Sequence, residues 1–327
     1  MAPRVAQGTQ PTRVLKSPRR RLPVAVRRAC DNPNPLRKAV PLVLVLTLVW
    51  GTNWPLFPIA VREVSVWTFR AVSLVAAGLA LLAFARMRGH SLLIPRAHRG
   101  TIVAASLAYL VVWNVASTYA AVLIPSGQAA ILGFTMPLWA ALIAWALLGQ
   151  RPGTRVLLAL AIGGLGVVLL IVDGIGAYAK APAGFALGLL AGLGWAAGTL
   201  ILKLRPVPAS PLVLTGWQLL VAAVPIVIGA FWFGDGRWFI PSTTSIVVIA
   251  YITLVPIAMG NAAWFAIVGM LPANVAAMSS VMVPVVAMVS GTVVHGEPLG
   301  PVQWASMLCC AVGLGLALFK PAMSTAR

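Results

Sequence analysis

Residues 125–153, PSGQAAILGFTMPLWAALIAWALLGQRPG, align without gaps on residues 272–300, PANVAAMSSVMVPVVAMVSGTVVHGEPLG, at a constant shift of 147. Seven of the 29 positions are identical: Pro125/Pro272, Ala129/Ala276, Ala130/Ala277, Pro137/Pro284, Ala140/Ala287, Gly149/Gly296 and Gly153/Gly300. Chance gives about one match in ten in so biased a composition. The prolines and glycines carry most of the weight. The same shift sets Asn114 on Asn261, and Gly164-Leu165-Gly166 has a near counterpart in Gly313-Leu314-Gly315. Convergence of two Ala-rich, proline-kinked helices is the competing reading; duplication of one unit accounts for the flanking matches as well.

Composition says which medium the unit is built for. Of 327 residues, 60% are hydrophobic and 9% charged, against about a quarter charged in a soluble domain. The formal net charge of +19 suggests nucleic acid until the charges are located. Residues 1–38 hold ten Lys and Arg with one acid, Asp31, several prolines and no apolar period. This stretch reads as a disordered basic tail suited to anionic lipid headgroups, not nucleic acid. Cys30, Cys309 and Cys310 have no metal-ligand spacing, and adjacent cysteines rarely bridge each other. No disulfide framework, metal site or cofactor is expected.

A membrane helix needs about 20 apolar residues. Charge-free runs predict spans at 39–61, 64–85 (interrupted by Arg70), two within 100–150, then about 155–172, 183–203 and 211–233, two within 238–296, and 302–319. The run from Gly100 to Gln150 would make a helix of about 77 Å and must fold back, with its turn at Pro125-Ser126-Gly127-Gln128. A second break falls at Leu271-Pro272-Ala273-Asn274. The expectation is an all-α membrane protein of ten transmembrane helices, with a first repeat at 39–173, a second at 183–320 and a short tail at 321–327. Five spans per repeat is odd, so the second copy enters the membrane from the opposite side. Inverted repeats of this kind underlie many alternating-access transporters, with substrate held near the midplane between the halves.

Lys and Arg near span ends favour the cytoplasm. With the amino terminus inside, ten spans assign twenty basic residues to cytoplasmic segments and three, Arg62, Lys180 and Arg237, to external ones. Four of the five acids, Glu63, Asp173, Asp235 and Glu297, then fall outside. Both termini are expected in the cytoplasm, in a multi-pass protein of the cell (inner) membrane. The basic stretch is too long for a signal peptide, so the first span is expected to stay uncleaved.

Trp50-Gly51-Thr52-Asn53-Trp54 in the first span resembles the WGSN-type opening of EamA-type transporters of the drug/metabolite transporter superfamily. Arg70 matches the arginine of their second helix. Pro137 with Gly149-Gln150-Arg151, and Pro284 with Gly296-Glu297-Pro298, resemble their helix endings in both halves. The resemblance covers about residues 39–320. It implies ten helices in two inverted bundles and export, less often import, of amino acids or other small metabolites. Gln150 departs from it, standing where the family usually has Glu.

Polar groups at membrane depth must find a partner or a wet cavity. Arg70 is the one formal charge expected inside a span; it either snorkels to the nearby external end or faces a cavity and pairs with a substrate carboxylate. Trp50, Asn53 and Trp54 fall on one helical stripe, as packing or as site. Asn114 with Thr118, and Asn261 with Trp264, occupy equivalent places in the repeats and serve either as interhelical bonds or as cavity lining. Trp195, Thr199 and Gln218 are weaker candidates. Pro137 and Pro284, read as mid-helix, are hinges or fixed kinks. His295 and Glu297 at one helix end form either a coupling pair or a solvated cap. Cys309 and Cys310 read as small packing residues.

His90, His98 and His295 all lie at span ends and no carboxylate lies within a span, so an intramembrane enzyme lacks its base. No loop is long enough for a receptor's sensing domain. The remaining expectation is a secondary transporter for a small-molecule substrate, amino-acid-like and zwitterionic or neutral, with multidrug or other metabolite efflux as the alternative.

Overall fold

The computed structural model describes residues 35–149, 153–236, 240–271, 280, 282–296 and 299–318. Lipid offers no partner for a backbone N–H or C=O, so apolar runs close their hydrogen bonds within helices. Among the described residues eight helices are long and apolar enough to cross a membrane: α1 Ala39–Ala60, α2 Val66–Met87, α3 Arg96–Leu123, α4 Ser126–Leu147, α5 Thr154–Asp173, α6 Pro182–Leu204, α7 Pro211–Phe233 and α8 Thr243–Met270. Two further apolar helices follow, α9 Val283–His295 of 13 residues and α10 Pro301–Leu318 of 18. No strand occurs among the described residues. The chain is a multi-pass membrane protein, helical throughout its regular described structure.

The described residues open in a helix that starts at Pro35, so the last residues of the expected tail belong to the first helix. A proline at a helix start gives up only an N–H that has no partner there anyway. The first span is not continuous. Its α-helix ends at Gly51, Thr52 and Asn53 form a turn, and a 3₁₀ turn Trp54–Leu56 leads into Phe57–Ala60. Pro55 and Pro58 cannot donate to the carbonyls four residues back. Ser290 Oγ of α9 lies 3.3 Å from the Gly51 carbonyl so released.

Pro137 and Pro284 are likewise not mid-helical. Each lies in the first turn of a helical segment, Met136–Leu148 and Val283–His295, where the ring is tolerated. Within α4 a turn at Phe134 and Thr135 precedes Pro137, and Thr135 Oγ1 donates to the Leu132 carbonyl at 2.6 Å. Both segments end on glycine in the left-handed region, Gly149 at φ 62° and Gly296 at φ 68°, a conformation only glycine adopts without strain. These are paired glycines of the duplicated sequence.

The long spans α3 and α8 each contain a π-helical stretch, Leu107–Val111 and Thr253–Gly260. A shift of 147 lays the first inside the second. Insertions of this kind cluster at functional sites.

Small residues set the helix crossings. α2 packs on α7 where Gly78 meets Gly216, each within 3.2 Å of the position a methyl group on the other would take against its carbonyl. α5 packs on α10 where Gly313 sits against Ala159 and Gly163, and Ser306 Oγ donates to the Gly166 carbonyl at 2.8 Å. α1 crosses α9 at Gly51, where a methyl group would overlap the Val286 side chain.

The two ends of the bundle differ in charge. At one end Ser65 N–H donates to Asp235 at 2.9 Å, Ser242 N–H to Glu63 at 2.7 Å and Gln303 Nε2 to Asp173 at 2.5 Å. The Ser242 amide holds the Glu63 carboxyl below the usual carboxylate range. At the other end Lys203 Nζ donates to the Leu271 carbonyl at 2.5 Å and Arg155 Nε to that of Leu316 at 2.6 Å. The bundle thus has an acidic end and a basic end.

Candidate functional site

The break in α1 opens onto a narrow cavity in the bundle interior. Trp50, Asn53, Trp54, Arg70, Asn114, Trp195 and Asn261 line it, with Phe57, Trp113, Phe134, Pro256 and Ile257. It offers about 30 Å³ to the centre of a water molecule, room for one or two waters. An amino-acid-sized solute fits only after helices move apart.

Arg70 enters it from the first turns of α2 and is 1% exposed. It does not snorkel. Nε donates to Thr118 Oγ1 at 2.7 Å, and that hydroxyl donates to the Asn114 carbonyl at 2.7 Å. The guanidinium lies 4.5 Å from the Phe57 ring centroid and 4.7 Å from that of Phe69, contacts that partly offset its desolvation. Nη2 has no partner among the protein's own atoms. The described acids Glu63, Asp173 and Asp235 are engaged at the acidic end, so the cation is left to meet whatever enters the cavity.

The two asparagines make the same bond in the two halves. Asn114 Nδ2 donates to the Leu110 carbonyl at 2.7 Å, and Asn261 Nδ2 to that of Ile257 at 2.8 Å. Each amide serves a carbonyl of the π stretch before it. Asn261 Oδ1 also accepts from Tyr109 OH at 2.9 Å, tying α8 to α3. Asn53 Oδ1 is buried without a partner.

Trp195 is the hub of the aromatic packing. Its ring centroid lies 4.1 Å from Tyr109, 4.4 Å from Trp113, 4.9 Å from Trp50 and 5.4 Å from Trp264. Trp54 joins through Trp113 and Phe134 at 5.9 and 6.0 Å. The helix break moves Trp50, Asn53 and Trp54 off a regular α-helical stripe, yet all three still reach the cavity.

Of the other expected residues, Thr118 stands behind Arg70 and Trp264 behind Trp50 and Trp195. Thr199 and Gln218 are buried outside the cavity. Pro137 and Pro284 meet in a separate apolar crevice between α4, α5 and α9. His295 Nε2 lies 2.8 Å from the Pro55 carbonyl, so its ring engages the α1 break; Glu297 and Gln150 fall outside the described residues, as does the side chain of Cys310. Cys309 is free and half-buried. Sequence reasoning missed Phe57, Trp113, Phe134 and Tyr109. Tyr109 lies five residues before Asn114, off its α-helical face, and the π stretch turns it inward. Among the described residues no three His, Cys, Asp or Glu gather to hold a metal.

The profile of the EamA-like transporter family matches this sequence twice, over residues 37–172 and 182–319. The chain belongs to the EamA-like transporter family. The "Uncharacterized transporter YvbV" of Bacillus subtilis (strain 168) is 25% identical over 289 residues, covering 88% of this chain and 93% of the relative. The "Uncharacterized inner membrane transporter YedA" of Escherichia coli (strain K12) is 28% identical over 277 residues, 83% of this chain and 88% of the relative. A "Probable amino-acid metabolite efflux pump" of Salmonella typhimurium (strain LT2) is 27% identical over 179 residues, 52% of this chain and 60% of the relative. This EamA-like protein is thus a membrane transporter, and its central cavity is the candidate substrate site.

Proposed function

We propose that the protein exports amino acids or similar small zwitterionic or neutral metabolites by alternating access, with Arg70 receiving the substrate carboxylate. One observation carries this reading: a buried guanidinium lines the central cavity with Nη2 unpartnered and no described acid beside it. A bidentate carboxylate is its natural partner, while an organic cation entering the same cavity would face a like charge. Asn53, Asn114 and Asn261 supply neutral polar contacts, and Trp50, Trp54 and Trp195 accept apolar parts. The name of the Salmonella relative, an amino-acid metabolite efflux pump, agrees with this class.

The architecture proposed is ten spans in two inverted five-helix repeats. It is supported by the pairing of α2 with α7 and α5 with α10 over glycine crossings, and by the matched Asn114 and Asn261 bonds. In this reading both termini lie in the cytoplasm of an inner-membrane protein, supported by the basic end and the basic tail, and the tail meets anionic headgroups. Pro137 and Pro284, at their crevice, and the α1 break are where the two halves flex. His295 is held by α1 in this conformer and, with Glu297, is the candidate for coupling.

Flux into proteoliposomes tests the reading. Arg70→Gln is expected to lower transport of a neutral amino acid at least about tenfold, the scale of one charged hydrogen bond, and to leave its amide or ester far less affected. Equal losses for acid and ester would make Arg70 structural. Efficient efflux of a quaternary ammonium dye by the unaltered protein would move the assignment to multidrug efflux.

A further inference from the structure

A second group of buried polar atoms lies at the aromatic hub and on its basic-end side. Ser106 Oγ, Thr199 Oγ1, both amide atoms of Gln218 and the indole nitrogens of Trp195 and Trp264 have no partner among the protein's own atoms. Ser106, Gln218 and Trp264 are 0% exposed and Thr199 3%. Buried polar groups are bonded in nearly all native structures, and a membrane interior is the costliest place to leave one unpaired. Six such atoms on four helices mark a function.

Packing sets Ser106, Thr199 and Gln218 at one depth. Ile102 of α3 and Val213 of α7 share a small apolar cluster with Leu82 and Ala85 near the basic end. Both helices run from that end, so Ser106 lies about 6 Å and Gln218 about 7.5 Å beyond the cluster along its helix. Gly198 of α6 sits on Ala105 and Tyr109, which brings Thr199 to the same level. Toward the acidic end Tyr109, Trp195 and Trp264 pack together, with Tyr109 and Trp195 only 4.1 Å apart, and the Arg70 cavity lies beyond them.

The chemistry of the set is one-sided. Two indole N–H groups, two hydroxyls and the Gln218 amide donate, while the Gln218 carbonyl is the single obligatory acceptor. We propose that Ser106, Thr199, Gln218 and Trp264 form a second, uncharged station on the transport path, which receives the acceptor oxygens of a carboxylate- or carbonyl-bearing solute between the Arg70 cavity and the basic end. This rests on the transporter reading above. The station carries no cation, so it holds the same solute more loosely than Arg70 does and gives it up readily. In this conformer the Tyr109, Trp195 and Trp264 rings lie between Ser106, Thr199 and Gln218 and the Arg70 cavity.

Water-borne labelling tests it. Single cysteines replace Ser106, Thr199, Gln218 and, as control, the neighbouring and equally buried Leu219 in the full-length chain with Cys30, Cys309 and Cys310 changed to Ser. Each variant that elutes as a single species is reconstituted and treated with 2-aminoethyl methanethiosulfonate, and modification is read by intact mass. Ser106→Cys is nearly isosteric, which keeps the test available if Gln218→Cys misfolds. Modification at the station at least about tenfold faster than at Leu219→Cys, because only a thiol that water reaches ionises, and slowed by millimolar leucine, phenylalanine or threonine, supports the station. Rates equal to the Leu219→Cys control overturn it, and so do rates that none of the three solutes alters. Flux of the same solutes through the unmodified protein is measured in parallel, so failure of the transporter reading is seen separately.

Discussion

Trp50 of α1 donates its indole N–H to the carbonyl of Pro256, 206 residues away in α8, at 3.0 Å. That carbonyl lies within a π-helical stretch, and Gly260 one turn on leaves the room the indole occupies, since a methyl group there would overlap it. The first half of the chain is thus latched to the second at the wall of the central cavity.

Replacing Trp50 with Phe keeps most of the ring contact and removes the donor. The stranded carbonyl is expected to cost about 1–3 kcal/mol, read as a lower melting temperature in detergent together with reduced flux. An unchanged melting temperature would show that the latch does not hold in solution.

Thr118 Oγ1 accepts the Arg70 Nε–H at 2.7 Å. Thr118→Val removes it at nearly constant volume and should cost about 1.5–3 kcal/mol, the value of a bond to a charged group. Thr118→Ser retains the hydroxyl and should behave almost as the parent. Equal stability of the two variants would contradict the assigned bond.

Gly51→Ala forces a methyl group into Val286, with an expected loss of about 1–3 kcal/mol from overpacking. Val286→Ala should not rescue it, because the overlap reaches the Cβ that alanine retains. Rescue would place the crossing of α1 and α9 elsewhere.

The proposed orientation assigns a side to each exposed loop. In a cysteine-free background, Ala179→Cys at the acidic end should react with an impermeant maleimide on intact cells, and His90→Cys at the basic end only after permeabilisation. The reverse pattern would invert the topology.

Glu63 gives a contact that depends on pH. Its carboxyl is held below the usual carboxylate range by the Ser242 amide, so the folded form is favoured above that range, and this advantage is lost as pH falls through the lowered value. The hydrogen-exchange protection factor at the start of α8, corrected for the intrinsic pH dependence of exchange, should therefore fall on acidification below the carboxylate range in the parent protein. In Glu63→Gln the same segment should show no such step.

The sequence alone determined that the chain is a multi-pass helical membrane protein and that it is built from two related halves. Hydropathy and the placement of Pro and Gly act locally, because each span must close its own backbone bonds wherever its neighbours lie. The turn near Pro125, the helix endings near Gly149 and Gly296 and the equivalence of Asn114 and Asn261 could all be read in the sequence. Where Arg70 points could not, because snorkelling and burial differ only in how α2 is rotated against α3, and Thr118 and Phe57 decide that rotation. The aromatic hub also arose only in the tertiary structure. Trp50, Tyr109, Trp195 and Trp264 come from four helices, and they meet because glycines at 198 and 260 allow close approach while the π stretches turn α3 and α8 by a fraction of a helical turn. No local pattern records such a rotation, since it is set by the packing of one helix against the next.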